Sequence, residues 1–180
     1  MLANKTTGLT KQLVSHVFDR IDRPLPEDVD ITARLCILDW LAVTIAGADE
    51  PLAKMLLEEA MAQGGHPLSS IIGRVERFSP HLAAMVNAAT ADAMDFSDGN
   101  LAMRGHTTPA VIATAFALAE STGVNALRFV NAIVAGIEME CRVGLIVNPP
   151  RLRKGFHPTG SMATFGAAAT AAVLLDLTEE

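Results

Sequence analysis

Tyrosine is absent from this 180-residue chain, tryptophan occurs once, and aromatic residues make up only 4% of it. Platforms that stack single-stranded bases are built from such rings, so that class has little support. Charge is sparse as well, at 19% of residues, with 14 Lys and Arg against 20 Asp and Glu and a formal net charge of −6. Phosphate backbones are held by clustered cations, so no nucleic-acid partner is expected. The two cysteines, Cys36 and Cys141, have no CxxC or Cys/His neighbour. A disulfide scaffold and a zinc finger both fall away, and two buried thiols in a reducing compartment are expected. Positions 1–9 lack the apolar segment of a secretory leader, which gives a cytoplasmic expectation. The uncharged run Ser161 to Leu175 is rich in small residues. At about 15 residues it falls short of a membrane span, so no membrane partner is expected. No P-loop, GxGxxG or GxSxG string occurs.

Half of the residues are hydrophobic, enough for one packed domain over 1–180. The punctuation reads as seven helices. Leu9 to Ile21 carries Leu13, Val14, Val17 and Phe18 at helical spacing. Pro26 opens a second helix that runs through Leu35, Leu38, Leu41 and Ile45 to Gly47, with Glu27 and Asp28 in its first turn. Pro51 to about Gln63 forms a third. Ser69 to Ile72 reads as a short extended segment, too little for a sheet. Ser79-Pro80 and Thr108-Pro109 each read as an N-cap followed by a proline, opening helices to about Met94 and Glu120. Asn125 caps a helix through Phe129, Ile133, Ile137 and Cys141, on which Glu138 and Arg142 form an i,i+4 pair. Pro149-Pro150 is expected to break the chain. The last helix, about Thr159 to Leu175, is apolar all round and calls for neighbours on every side. The fold class is therefore all-α, a multi-helix bundle. Thr178-Glu179-Glu180 resembles the cap of a further helix, so the chain is expected to be the front part of something larger or to lean on a partner. An apolar patch on or near the last helix, and self-association through it, are expected.

Two loops hold the candidate chemistry. One carries Asp95, Phe96, Ser97, Asp98, Gly99 and Asn100, followed by Arg104, Gly105 and His106. The other runs Lys154-Gly155-Phe156-His157-Pro158-Thr159-Gly160. Each places a histidine just before a helix start, where free N–H groups and the helix dipole favour anions and a neutral imidazole. Each residue also has a plain structural reading. Asp95 and Asp98 serve as turn caps, His106 and His157 as satisfied loop histidines, and Arg151, Arg153 and Lys154 as a solvated loop. Asp95, Asp98, His106 and His157 match no metal-ligand spacing, so no metal site is expected.

The run Asn87 to Asp98, with its Asp95-Phe96-Ser97-Asp98 element, then His106 and its Pro109 helix, then Gly155-Phe156-His157-Pro158-Thr159-Gly160, resembles the MmgE/PrpD family. The Asp39-Trp40-Leu41-Ala42 stretch resembles it too. The family includes 2-methylcitrate dehydratase, cis-aconitate decarboxylase and iminodisuccinate epimerase. The resemblance implies the front of a helical domain, with the family's α+β lid domain absent from the matched part. It implies a lyase or isomerase acting on small di- or tricarboxylates without metal or organic cofactor, and a homo-oligomer or a separately encoded C-terminal half as partner. By position it assigns proton transfer to His106 and His157, supported by Asp95. Substrate binding falls to Asp98, Arg104, Lys154 and Thr159. Further groups, a lysine among them, come from family segments beyond those matched. Two departures stand out. The family's Asp-Asp-Thr reads Ser97-Asp98-Gly99, and its His-Pro reads His106-Thr107. A second reading therefore stands beside the enzyme: a non-catalytic helical remnant or assembly module, half of a split protein.

Overall fold

The computed structural model describes residues 8–19, 21–152 and 154–179. Among them are seven helices: α1 (Leu9–Phe18), α2 (Glu27–Gly47), α3 (Pro51–Gln63), α4 (Pro80–Asp92), α5 (Thr108–Thr122), α6 (Ala126–Leu152) and α7 (Pro158–Leu174). The all-α architecture follows from the periodicity and from prolines at the starts of α3, α4, α5 and α7, where a missing N–H costs nothing.

The centre of the bundle is α5. Thr108, Pro109, Val111, Ile112, Ala113, Ala115 and Ala117 are all buried, and α4, α6, α7 and α2 pack around it. Its alanines keep it slim enough to be surrounded. This corrects the expectation for α7, which is covered on one side only. Met162, Gly166, Ala169 and Val173 face inward, while Thr164, Phe165 and Ala168 are exposed. Small side chains give α7 much of its high mean hydropathy, and Phe165 is the bulky side chain on its outer face. The main core joins Trp40 and Val43 of α2 to Val111, Ile112, Ile133 and Val173. Phe116 stacks between Trp40 and Phe129, at centroid distances of 5.7 and 6.5 Å.

Four local readings change. Ser69–Ser70 pairs antiparallel with Arg77–Phe78 as a two-stranded ribbon, β1 and β2. The ribbon is anchored on α5 by Ser69 Oγ donating to the Ala117 carbonyl at 2.6 Å. Ser79 occupies the N-cap of α4, but its buried hydroxyl makes no hydrogen bond. The N-cap of α5 is Thr107 rather than Thr108. Finally, Pro149-Pro150 does not break the chain, since α6 continues to Leu152. Proline's fixed φ is helical, and the carbonyls that lose a donor belong to Leu145 and Ile146, residues on the exposed side of the helix. Arg153 and the side chain of Arg151 lie outside the described residues.

The tightest packing is where α6 crosses α7. A Cβ built on Gly136 would lie 2.1 Å from Thr170 Oγ1 and 2.8 Å from the Gly166 carbonyl. The Thr170 hydroxyl meanwhile donates to the Ala132 carbonyl at 3.2 Å. Gly136→Ala must force the helices apart. We expect it to cost about 3 kcal/mol, at the upper end for overpacking. In a domain of this size that lowers Tm by roughly 6–12 °C in a thermal melt.

Candidate functional site

The loop between α4 and α5 folds back on itself. Asn100 and Gly105 form an antiparallel bridge, with Asn100 N–H to Gly105 O at 3.0 Å. Asn100 Oδ1 accepts from the Ala102 amide at 2.8 Å, and Met103 is fully buried beneath the turn. The fold-back holds Arg104 at φ 60, and further upstream Asp95 sits at φ 55. Both lie in the left-handed region that non-glycine residues adopt at a cost.

Asp98 is the hub of this loop. Its Oδ1 accepts from the Thr108 amide at 3.0 Å and from the Thr108 hydroxyl, and its Oδ2 accepts from the Thr107 hydroxyl at 2.6 Å. A carboxylate from ten residues upstream thus caps the first turn of α5, where free N–H groups and the dipole favour negative charge. The Asp98 carbonyl lies 2.7 Å from His106 Nδ1. Ser97 Oγ and the Ser97 carbonyl are at 3.1 and 3.3 Å from the same nitrogen. A carbonyl can only accept, so Nδ1 carries the proton and Nε2 of the neutral ring carries the lone pair. The Nε2 atom lies 3.8 Å from Oδ1 of the exposed Asp95. The Ser97 hydroxyl donates to Asp92 Oδ1 at 2.8 Å, which fixes Ser97 behind the ring.

His157 is the N-cap of α7. Its Nδ1 accepts from the Gly160 amide at 3.2 Å, so this ring carries its proton on Nε2, and the side chain is exposed. One bond joins the two loops directly, from the His106 amide to Thr159 Oγ1 at 3.0 Å. A Cβ on Gly105 would sit 2.8 Å from that oxygen, so the residue preceding His106 must be glycine for the loops to touch. The structure therefore gathers Asp95, Asp98 and His106 on one loop, with Thr159 docked against it two residues after His157. Arg104 and Lys154 are exposed and make no side-chain hydrogen bond or ion pair among the described residues.

Two groups gained a place in the site only from the structure. Ser97 and Asp92 act only through the position of His106. Glu140 lies on the apolar stripe of α6, seven residues after Ile133, and that spacing was its one signal. It is fully buried, neither carboxyl oxygen has a hydrogen-bond partner, and it packs where Gly166 leaves room. Burial pushes its pKa up to about 9, with the charge of Asp98 adding to the shift. Burial likewise raises both thiols, Cys141 to about 11 and Cys36 above its usual range. Neither is poised as a nucleophile.

A cavity of about 400 Å³ shares Asp98, Gly99, Asn100 and Thr107 with this loop and reaches Cys36, Ile137 and Glu138. Three carboxylates line it (Asp28, Asp98 and Glu138), and neither histidine does. Its sign is wrong for an anionic ligand. Among the described residues no group of three His, Cys, Asp or Glu could hold a metal ion. No single helix among them is long and apolar enough to cross a membrane.

The model of the MmgE/PrpD N-terminal domain matches residues 11–180. A cis-aconitate decarboxylase-like protein, oryM, of Aspergillus oryzae is 27% identical, over 96% of this chain and 38% of its own length. The cis-aconitate decarboxylase of Aspergillus terreus is 26% identical, over 90% of this chain and 36% of its own. The Mus musculus cis-aconitate decarboxylase is 27% identical, over 91% and 33%. The chain spans a little over a third of the length of the first two relatives and a third of the last.

Removing the Asp98 cap by Asp98→Ala should cost about 2 kcal/mol, the upper range for a cap, because three donors lose their acceptor. Chemical denaturation reads this as a lower midpoint at unchanged slope. Glu140 gives a pH signature. It is neutral in the fold up to about pH 9 but ionises near the ordinary glutamate value of 4.5 in the unfolded chain. Its contribution is therefore whole below that value and is lost as pH rises through the window, by up to about 1.4 kcal/mol per unit. Glu140→Gln should gain on the wild type steadily as urea unfolding is repeated from pH 5 to pH 9. A constant gap between the two would refute the assignment.

Proposed function

The chain belongs to the MmgE/PrpD family, and on that premise we propose that it carries the proton-transfer groups of a lyase or isomerase for small di- or tricarboxylates. Cis-aconitate, the acid in the relatives' names, is the first candidate substrate. The observation that carries the reading is the opposite polarity of the two rings. His106 has its Nδ1 proton spent on the Asp98 carbonyl, which leaves Nε2 as a base for a C–H next to a carboxylate. His157 has its Nδ1 lone pair spent on the Gly160 amide, which leaves Nε2–H as a donor. Asp95, 3.8 Å from His106 Nε2, stabilises the imidazolium that forms when the base takes a proton. Substrate carboxylates are met by the exposed cations of the two loops, Arg104 and Lys154. The chemistry assigned here needs only ring nitrogens, so the proposed reaction uses no metal or organic cofactor.

Thr159 keeps the loops in register, and Asp98 acts through the cap and the His106 ring rather than by touching substrate. The share of the relatives that the chain spans favours a reading in which full turnover also draws on groups outside it. Proton abstraction is the part this chain can carry, so the test measures that step alone. Cis-aconitate and 2-methylcitrate are incubated with the protein in D2O, and exchange of the C–H next to the carboxylate is followed by proton NMR. His106→Gln should lower the exchange rate by about 10²–10⁴-fold, the range for a general base. His157→Gln should slow exchange much less than His106→Gln does. Equal rates in wild type and His106→Gln would overturn the reading.

A further inference from the structure

We propose that Glu140 is a positioning residue for the candidate site: it holds one negative charge in common with Asp98, and by staying neutral it leaves that charge at the start of α5, where it anchors the His106 loop. Glu140 lies in the middle of α6, fully buried, with neither carboxyl oxygen hydrogen-bonded. Two glycines define its place in the fold. A Cβ built on Gly166 of α7 would lie 2.7 Å from Glu140 Oε2 and 2.8 Å from Val111 Cγ2. A Cβ on Gly136, one turn back on α6, would lie 3.1 Å from Val111 Cγ1. The carboxyl therefore sits beside Val111, a little under one turn into α5 from Thr108, whose amide and hydroxyl are bound by Asp98. That stretch of helix rises roughly 4.5 Å, so both acids belong to the same end of the central helix.

Among the described residues nothing cationic offsets a second charge at this place. α7 has no ionisable side chain beyond its exposed N-cap, His157, and α5 has only Glu120, which is bonded to Ser70 at the other end of the helix. On α6, Glu138 is paired with Arg142, and Cys141 is a neutral thiol. From α2, Asp28 and Cys36 line the cavity beside Asp98, and α1 carries Lys11 and His16, both exposed. The charge that acts on Glu140 is that of Asp98, and it keeps the proton on, in the same direction as burial. Asp98 has three donors and Glu140 has none, so the one charge rests on Asp98. Were Glu140 to ionise, two like charges would compete for one set of donors in a medium of low dielectric. Asp98 would then loosen from Thr107 and Thr108, and its carbonyl would leave His106 Nδ1. The neutral acid thus guards the His106 tautomer without touching the ring. The coupling is one of geometry, and only its effect on proton abstraction rests on the proposed function.

NMR of the protein on both sides of about pH 9, where Glu140 ionises, tests it. The Glu140 carboxyl carbon reports ionisation, the Thr108 amide reports the cap, and the His106 ring nitrogens report the tautomer. In the wild type all three should change with one midpoint, and the hydrogen-exchange protection of Thr108 should fall at least about tenfold. In Glu140→Gln the Thr108 amide and the His106 tautomer should not change in that window. Asp98→Asn should lower the midpoint of Glu140, because the coupling is reciprocal. Where C–H exchange in D2O is observed, it should fall with the same midpoint in the wild type and not in Glu140→Gln. No exchange at all, with Thr108 and His106 still following Glu140, sinks the proposed function and supports the coupling. Thr108 or His106 responding alike in the wild type and Glu140→Gln overturns the coupling. So does an unchanged Glu140 midpoint in Asp98→Asn, or loss of the whole far-UV signal as Glu140 ionises, which would make it a group of the core alone. If Glu140→Gln folds poorly, the wild-type titration and Asp98→Asn carry the test.

Discussion

Everything in the candidate site hangs on Asp98. Its side chain closes the open end of the central helix through Thr107 and Thr108, while its backbone carbonyl sets the proton of His106 on Nδ1. One residue thus ties the stability of the core to the chemistry of the loop. The long connection between α4 and α5 is held at that point and has no freedom to slide, because α5 is packed on all sides. A loop of this length without such a tether would be a mobile surface segment. Instead it presents a ring nitrogen with a defined lone pair.

The helices were legible in the sequence because proline and glycine punctuate them and the apolar spacing is regular. What was not legible follows from information that spacing does not carry. Hydropathy made α7 look like a helix with neighbours on every side, yet alanine contributes hydropathy without volume. The surrounded position went to α5, whose side chains are as small but whose neighbours lie on every side. Pro149-Pro150 looked like a stop because residue type carries no knowledge of which turn of a helix faces outward. The candidate residues were named by motif, whereas their hydrogen-bond partners needed the fold. Asp98 proved to be a cap in trans, ten residues from the helix it caps, and no local rule predicts that. Glu140 went unnoticed because a single acid on an apolar stripe reads as noise until its burial is seen.

The electrostatics separate two regions that share one loop. The cavity beside Asp98 is walled by carboxylates, and the buried Glu140 avoids adding another charge by staying protonated. On the side of the histidines, the starts of α5 and α7 are already capped by Asp98 and His157, and the cations Arg104 and Lys154 are exposed. Arg104 holds its place at φ 60, where glycine or asparagine would sit with less strain. A backbone that bears this cost over-determines where the guanidinium is rooted.

Two histidines at the starts of two helices look interchangeable in a sequence, and the fold makes them different. What distinguishes them is the polarity of one neighbour each. A carbonyl beside Nδ1 forces the proton onto that nitrogen of His106, and an amide beside Nδ1 of His157 forces the proton off it. The amide is available because α7 begins at Pro158, which leaves the Gly160 N–H without an acceptor inside the helix. The carbonyl is available because Asp98 turns its side chain to α5 and its backbone to the ring. Ser97 completes the selection. It stands where the family resemblance has an acid, and its hydroxyl hydrogen goes to Asp92, so toward the ring it offers only an oxygen lone pair. Every group around His106 Nδ1 is therefore an acceptor, and the lone pair on Nε2 follows from the backbone that surrounds it.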